Sequence, residues 1–179
     1  MPDTPSFETP RLRLRPRVPD DADALFPTMS DVELMKYWSR ASFADPAELR
    51  HDFATRTSPD WRCWAITLAG DDRAIGFVAA GVKRQGDVTE LGYLLAREAH
   101  GQGFAREAVS GLIDLLFGEG QRRLFADTDP DNVASIALLE RLGFQREGRL
   151  RGEWHTHIGI RDSLIFGLLV DEWRGGERA

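Results

Sequence analysis

Gly101 and Gly103 stand between a strand-like run over residues 88–96 and an amphipathic stretch over residues 103–117. Glycine at such a junction lets the backbone adopt left-handed φ values and come close to a ligand. The first turn of a following helix leaves its N–H groups unpaired at the positive end of the helix dipole. His100, Gly101, Gln102, Gly103, Phe104, Ala105 and Arg106 thus form a candidate cradle for a pyrophosphate. A plain tight loop before a helix has the same local pattern. A dinucleotide-binding turn needs a third glycine where Arg106 stands, and an acidic residue about 20 positions on. Asp127 is placed for that role, but too little chain follows for the usual parallel sheet.

Other reactive side chains point less clearly. His155 and His157 are two apart and share a face on a strand, yet no cysteine or carboxylate set completes a metal site, so a structural or pocket role is expected. Cys63, between Trp61 and Trp64, reads as a semi-buried strand residue. As the sole cysteine it forms neither an internal disulfide nor a cysteine metal cluster, which fits a reducing cytoplasm.

These residues sit in a chain of 179 residues with a formal net charge of −6, which argues against a nucleic-acid binder. Arg11, Arg13, Arg15 and Arg17 alternate along one side of a strand, a pattern that is usually solvated or salt-bridged. No uncharged run approaches the roughly 18 apolar residues of a membrane span, and residues 1–5 lack the basic and apolar regions of a signal peptide. No repeat or composition shift marks a second domain. The sequence leaves a monomer and a homodimer both open.

The elements follow from periodicity. Alternation over residues 11–15 predicts a first strand ending at Pro16. Residues 20–38 read as two short helices divided near Pro27 and Ser30. Asp45-Pro46-Ala47-Glu48 opens a helix that reaches about Thr57. Strands over 63–68, 74–82 and 88–96, separated by turns at 69–72 and 84–87, form an antiparallel meander. Ala105, Ala108, Val109, Leu112, Ile113 and Leu116 mark one face of a helix over 103–117. A strand over 123–127, a helix from about 130 to Leu142 with Gly143 at its end, and strands over 151–158 and 163–170 complete an α+β pattern.

The run His100-Gly-Gln-Gly-Phe-Ala105 resembles the acyl-CoA pyrophosphate loop of the GNAT superfamily of N-acetyltransferases, although His100 stands where that loop prefers Gln or Arg. The segment Asn132-Val-Ala-Ser135-Ile-Ala-Leu-Leu-Glu-Arg-Leu-Gly-Phe144 is similar to the second signature of the same superfamily. Glu8-Thr-Pro-Arg-Leu-Arg-Leu-Arg15, Leu91-Gly-Tyr-Leu-Leu95 and Asp171-Glu-Trp173 resemble the branch that acetylates ribosomal-protein N-termini, which has relatives acting on small amines. The resemblance implies one α+β acyl-CoA N-acyltransferase domain over residues 1–179. It has a twisted, mostly antiparallel sheet, helices on both faces, and a cleft where strands 88–96 and 123–127 separate.

It also implies a chemistry and its residues. Acetyl-CoA is the co-substrate and no metal is needed. Its pantetheine pairs along Tyr93, Leu94 and Leu95 like an added strand, with an N–H of Leu94 or Leu95 receiving the oxyanion. Asn132 caps a helix and faces the cofactor arm. Ser135 stands where the ribosomal branch has its proposed acid, whereas the tyrosine acid of other relatives falls at Leu139. Glu90 can take the ammonium proton directly or through water, or be an exposed strand carboxylate; Glu153 is a second candidate base. The amine attacks directly, without an acyl-enzyme. A non-catalytic acyl-CoA-binding module is the rival reading.

The acceptor pocket is expected from the helices between residues 22 and 57 and the strands around 154–162, with Tyr37, Trp38, Phe53, Trp154, His155 and His157 as its surface. The branch resemblance points to a protein or peptide N-terminal α-amine, whose pKa of about 7.7–8.0, against about 10.4 for lysine, would also suit a modest base. A small amine such as an amino acid, polyamine or aminosugar is the alternative.

Overall fold

The computed structural model describes residues 4–55, 60–84 and 86–173. A short strand β1 (Phe7–Glu8) precedes β2 (Leu12–Pro16), where Leu12 and Leu14 point inward and Arg13 outward. Helices α1 (Asp21–Met29) and α2 (Pro46–Thr55) follow, and then β3 (Trp61–Leu68), β4 (Ala74–Arg84) and β5 (Val88–Leu95) form the expected meander. Helix α3 (Phe104–Gly118), β6 (Arg123–Thr128), α4 (Val133–Arg141), β7 (Gln145–Thr156) and β8 (Gly159–Leu169) complete the order.

One eight-stranded sheet runs β1-β2-β3-β4-β5-β6-β8-β7, and its single parallel pair is β5 with β6. That pairing spans Val88–Arg123, Thr89–Leu124 and Glu90–Phe125 and then stops. The strands separate beyond it, which opens the expected cleft. Each sheet face has its own core. Ala108, Val109, Leu112, Ile113 and Leu116 of α3 pack with Leu139 of α4 against Leu14, Trp64, Val78, Leu91 and Leu124. On the opposite face Leu25, Met29, Met35, Phe43, Leu49 and Phe53 pack against Ala65, Phe77 and Leu94.

Three expectations change. The second helix over residues 31–38 is absent; α1 runs through Pro27, and a set of turns follows. The Asp31 side chain accepts from the N–H groups of Glu33 (2.9 Å) and Leu34 (3.1 Å), which gives the backbone a turn in place of a helix. The strand expected over 151–158 begins six residues earlier, at Gln145, because pairing with β8 rather than apolar alternation defines it. A short β1 joins the sheet edge ahead of β2. Arg56 and Thr57 at the expected end of α2, and Gln85 of the 84–87 turn, lie outside the described residues.

Candidate active site

The cleft is a cavity of about 1320 Å³, larger than the roughly 300–1,000 Å³ of a single small-ligand pocket. It opens to both sheet faces at the splay. On the α3 side it is lined by His100, Gly101, Gly103, Phe104, Ala105 and Arg106. Gly101 (φ 73°) and Gly103 (φ 80°) are both left-handed, the conformation that favours glycine, and Gly103 caps α3. The His100 ring turns back and bonds the Leu95 carbonyl through Nε2 (2.9 Å), while Gln102 donates to the Glu98 carbonyl and does not line the cavity.

A brace from the far end of the chain holds this loop. The Arg11 guanidinium donates to the Gln102 carbonyl (3.0 Å) and lies over the Phe104 ring. Glu107, in the first turn of α3, accepts from Arg11 N–H (2.8 Å), Arg11 Nε (2.7 Å) and Thr9 Oγ1 (2.6 Å). Burial opposes the charge on Glu107, but these bonds together hold its carboxyl below the usual range. The arginine alternation read from the sequence is thus salt-bridged at Arg11, at Arg15 with Asp21, and more loosely at Arg13 with Asp72.

Tyr93, Leu94 and Leu95 line the open edge of β5. Opposite them the Asn132 side chain accepts from Ser135 N–H (3.2 Å) and caps α4. Arg161 of β8 donates to both oxygens of Asp129 (2.7 and 2.8 Å) and also bonds Asp131, which fixes the turn that leads into this cap. The hydrogen bonds from Arg161 hold the Asp129 carboxyl below its usual range. Ser135 Oγ lies 2.8 Å from the Tyr93 hydroxyl, 42 residues away in sequence. Burial pushes the Tyr93 phenol up to about 12, against a smaller opposing effect of the Ser135 bond. The sequence reading gave Tyr93 a backbone role and missed this hydroxyl pair. The only signal available for it was a tyrosine beside the loop.

Of the three candidate catalytic residues, Ser135 and Glu90 line the cavity and Glu153 does not. The β7–β8 register slips between Leu150 and Trp154, and Asp162 Oδ1 accepts from Gly152 N–H (2.8 Å) within that slip. Glu153 is left exposed in the bulge, while Trp154 and Thr156 line the cavity. The same alternation turns His155 away, and His157 lies in the turn beyond β7, so neither joins the pocket. Tyr37, Trp38, Phe53 and Trp154 do line it. Asp127, which the sequence reading treated as a decoy, lines it as well. Its Oδ2 accepts from Trp154 Nε1 (2.8 Å) and Ser163 Oγ (3.2 Å).

Residues 11–145 match the model of the acetyltransferase (GNAT) domain. The uncharacterized N-acetyltransferase p20 of Bacillus licheniformis is 34% identical over 175 residues, covering 93% of this chain and 97% of the relative. A probable GNAT-family acetyltransferase from Chromobacterium violaceum superposes with a TM-score of 0.88 at 26% identity, covering 96% of this chain and 89% of the other. Spermidine N-acetyltransferase from Vibrio cholerae, solved with CoA and spermine, shares the fold (TM-score 0.79, 21% identity, 92% and 98% covered). The chain belongs to the GNAT family of N-acetyltransferases. It is an acetyl-CoA-dependent acyltransferase that acts on an amine.

Proposed function

We propose that the protein acetylates a primary α-amine, that of a protein or peptide N-terminus, by direct attack on acetyl-CoA. The observation that carries this reading is the division of the cleft: the Tyr93–Ser135 hydroxyl pair faces the α3–α4 side, and Glu90 belongs to the other side. Glu90, directly or through water, takes the ammonium proton, and the freed amine attacks the thioester carbon. The N–H of Leu95 receives the oxyanion at the open β5 edge, since that of Leu94 points to β4. The C–S bond then breaks; Ser135 Oγ–H donates to the departing thiolate and regains, through water, the second proton that the nitrogen sheds as the amide forms. Tyr93 stays protonated at neutral pH and donates to Ser135 Oγ, so the serine hydrogen is directed toward the sulfur.

Acetyl-CoA, when bound, supplies the activated acetyl group. Its pyrophosphate suits the amides of residues 101–106, and its pantetheine suits the edge at Tyr93, Leu94 and Leu95 beside Asn132. The cavity exceeds what one ligand fills, which supports two substrates meeting in it. The branch resemblance and a lower α-amine pKa favour the peptide N-terminus, in the cytoplasm where acetyl-CoA is made available. Free-thiol release is the test, using N-terminal peptides, their N-blocked lysine-containing counterparts and small amines. Faster release with blocked peptides or polyamines overturns the α-amine reading.

A further inference from the structure

Five residues that no motif connects form one row across the sheet. The Arg17 N–H donates to the Cys63 carbonyl (3.0 Å), which continues the β2–β3 register. Cys63 pairs with Ala79, and Ala79 pairs with Gly92. Extending the β5–β6 register two residues beyond Glu90–Phe125 sets Gly92 opposite Asp127 across the gap. All five residues line the cavity. Their side of the sheet is the one covered by α1 and α2, which Phe77 and Leu94 share. The three central residues, Cys63, Ala79 and Gly92, are small, and a methyl placed on Gly92 meets nothing within 4 Å. The row is therefore a trough, with Arg17 at one end and Asp127 at the other.

The two ends differ in charge. The Arg17 guanidinium carbon lies 3.8 Å from the Phe53 ring centre and 5.3 Å from that of Phe77. Aromatic faces hold the planar fork in place, and its five N–H donors suit a carboxylate in addition to any acceptor within the protein. At the other end, Trp154 and Ser163 fix Asp127, and Glu90 stands two residues from Gly92 on the same strand face. That end favours an ammonium group. Phe77 belongs to β4, one strand from the open β5 edge, and neighbouring strands lie about 4.8 Å apart. The Arg17 side chain thus reaches back over β4 from its end of the row, which shortens the span to an amine at the splay.

We propose that the acceptor is a primary amine with a carboxylate a few bonds away, bound in this trough with its carboxylate on Arg17 and its amine between Glu90 and Asp127. The inference rests on the acetyl-transfer reading above and deepens it. Two sources carry this chemistry: a free amino acid, and a peptide whose first residue is Asp or Glu.

Steady-state thiol release separates them, using amino acids against their amides and Asp- or Glu-initiated peptides against their Asn or Gln forms. In the native enzyme the carboxylate forms should exceed their neutral partners at least tenfold in kcat/KM, in one source or both. Arg17→Gln should bring that ratio close to one by raising KM for the acid forms, with acetyl-CoA affinity by calorimetry unchanged and Arg17→Lys restoring part of the preference. Equal use of neutral and acid forms by the native enzyme overturns the proposal, and needs no variant to fold. Arg17→Gln slowing acid and neutral acceptors alike overturns it too. Absence of thiol release with every acceptor overturns the reaction itself, and this proposal with it.

Discussion

The two sides of one cleft are built differently. On the α3–α4 side the key groups are backbone amides and two left-handed glycines within six consecutive residues, plus a cap and a serine three residues apart. On the α1–α2 side the candidate groups come one at a time from β2, β3, β4, β5 and β6, and only the sheet register brings them together. In the first, local geometry sets the arrangement, and substitutions at the left-handed glycines are unfavourable. The second presents a row of separate side chains, each replaceable without moving the backbone. On the proposed reading the first side takes the donor and the second the acceptor.

Substitutions that touch one side alone break the comparison most sharply. Glu90→Gln removes the candidate base and should lower kcat about a hundredfold, with acetyl-CoA affinity unchanged by calorimetry. Glu153→Gln, in the exposed bulge, should keep kcat within about twofold on the same scale. A reversal of these two results moves the base to β7. Gly103→Val forces a branched side chain into φ 80° beside Arg11 Nη2, 3.4 Å from the position of its first carbon. Acetyl-CoA affinity should fall tenfold or more, about 1.4 kcal/mol, in a protein with native circular dichroism; unchanged affinity removes the loop from the donor site.

Smaller effects sharpen the picture. Tyr93→Phe keeps the ring and deletes the hydroxyl that bonds Ser135. It should lower kcat several-fold with little change in the KM for acetyl-CoA, and combining it with Ser135→Ala should cost no more than Ser135→Ala alone. Additive losses would mean that the two hydroxyls act separately. The smallest effect concerns acid stability. The Glu107 carboxyl lies below its usual range when folded, so its contribution is present above the unfolded value of about 4.3 and is lost as pH falls through the folded value. Glu107→Gln should flatten the decline of Tm below that point. An unchanged slope from calorimetric scans would remove the brace from the stability of the loop.

Legibility in the sequence followed the same divide. Gly101, Gly103 and Asn132 act within a turn or two of themselves, so their spacing carries their conformation. Apolar periodicity likewise placed α3: Ala108, Val109, Leu112, Ile113 and Leu116 are buried as read, while Phe104 is buried and Ala105 only half-buried at its start. Val32, Met35 and Trp38 have helical spacing but sit in turns, because the Asp31 side chain competes locally and Met35 is buried by α1 and α2 rather than by its own helix. Polar Gln145, Arg146 and Glu147 show no strand pattern and are strand only through pairing with β8. Neither the Tyr93–Ser135 pair nor the placing of Arg17 and Asp127 along one row could be matched by spacing, since tertiary packing and strand order set them.

The three-residue pairing of β5 with β6 has a dynamic consequence. Backbone amides on the β5 edge beyond Glu90 face a gap where a neighbouring strand would otherwise shield them. In hydrogen–deuterium exchange the amides of Tyr93 and Leu95, which face the gap, should therefore be fast, while those of Gly92 and Leu94, bonded to β4, stay slow. A ligand that docks along this edge acts as a ninth strand. It should slow the gap-facing amides and stitch the sheet's two halves into one cooperative unit, so the unfolding behaviour of the protein would itself report whether its cleft is filled.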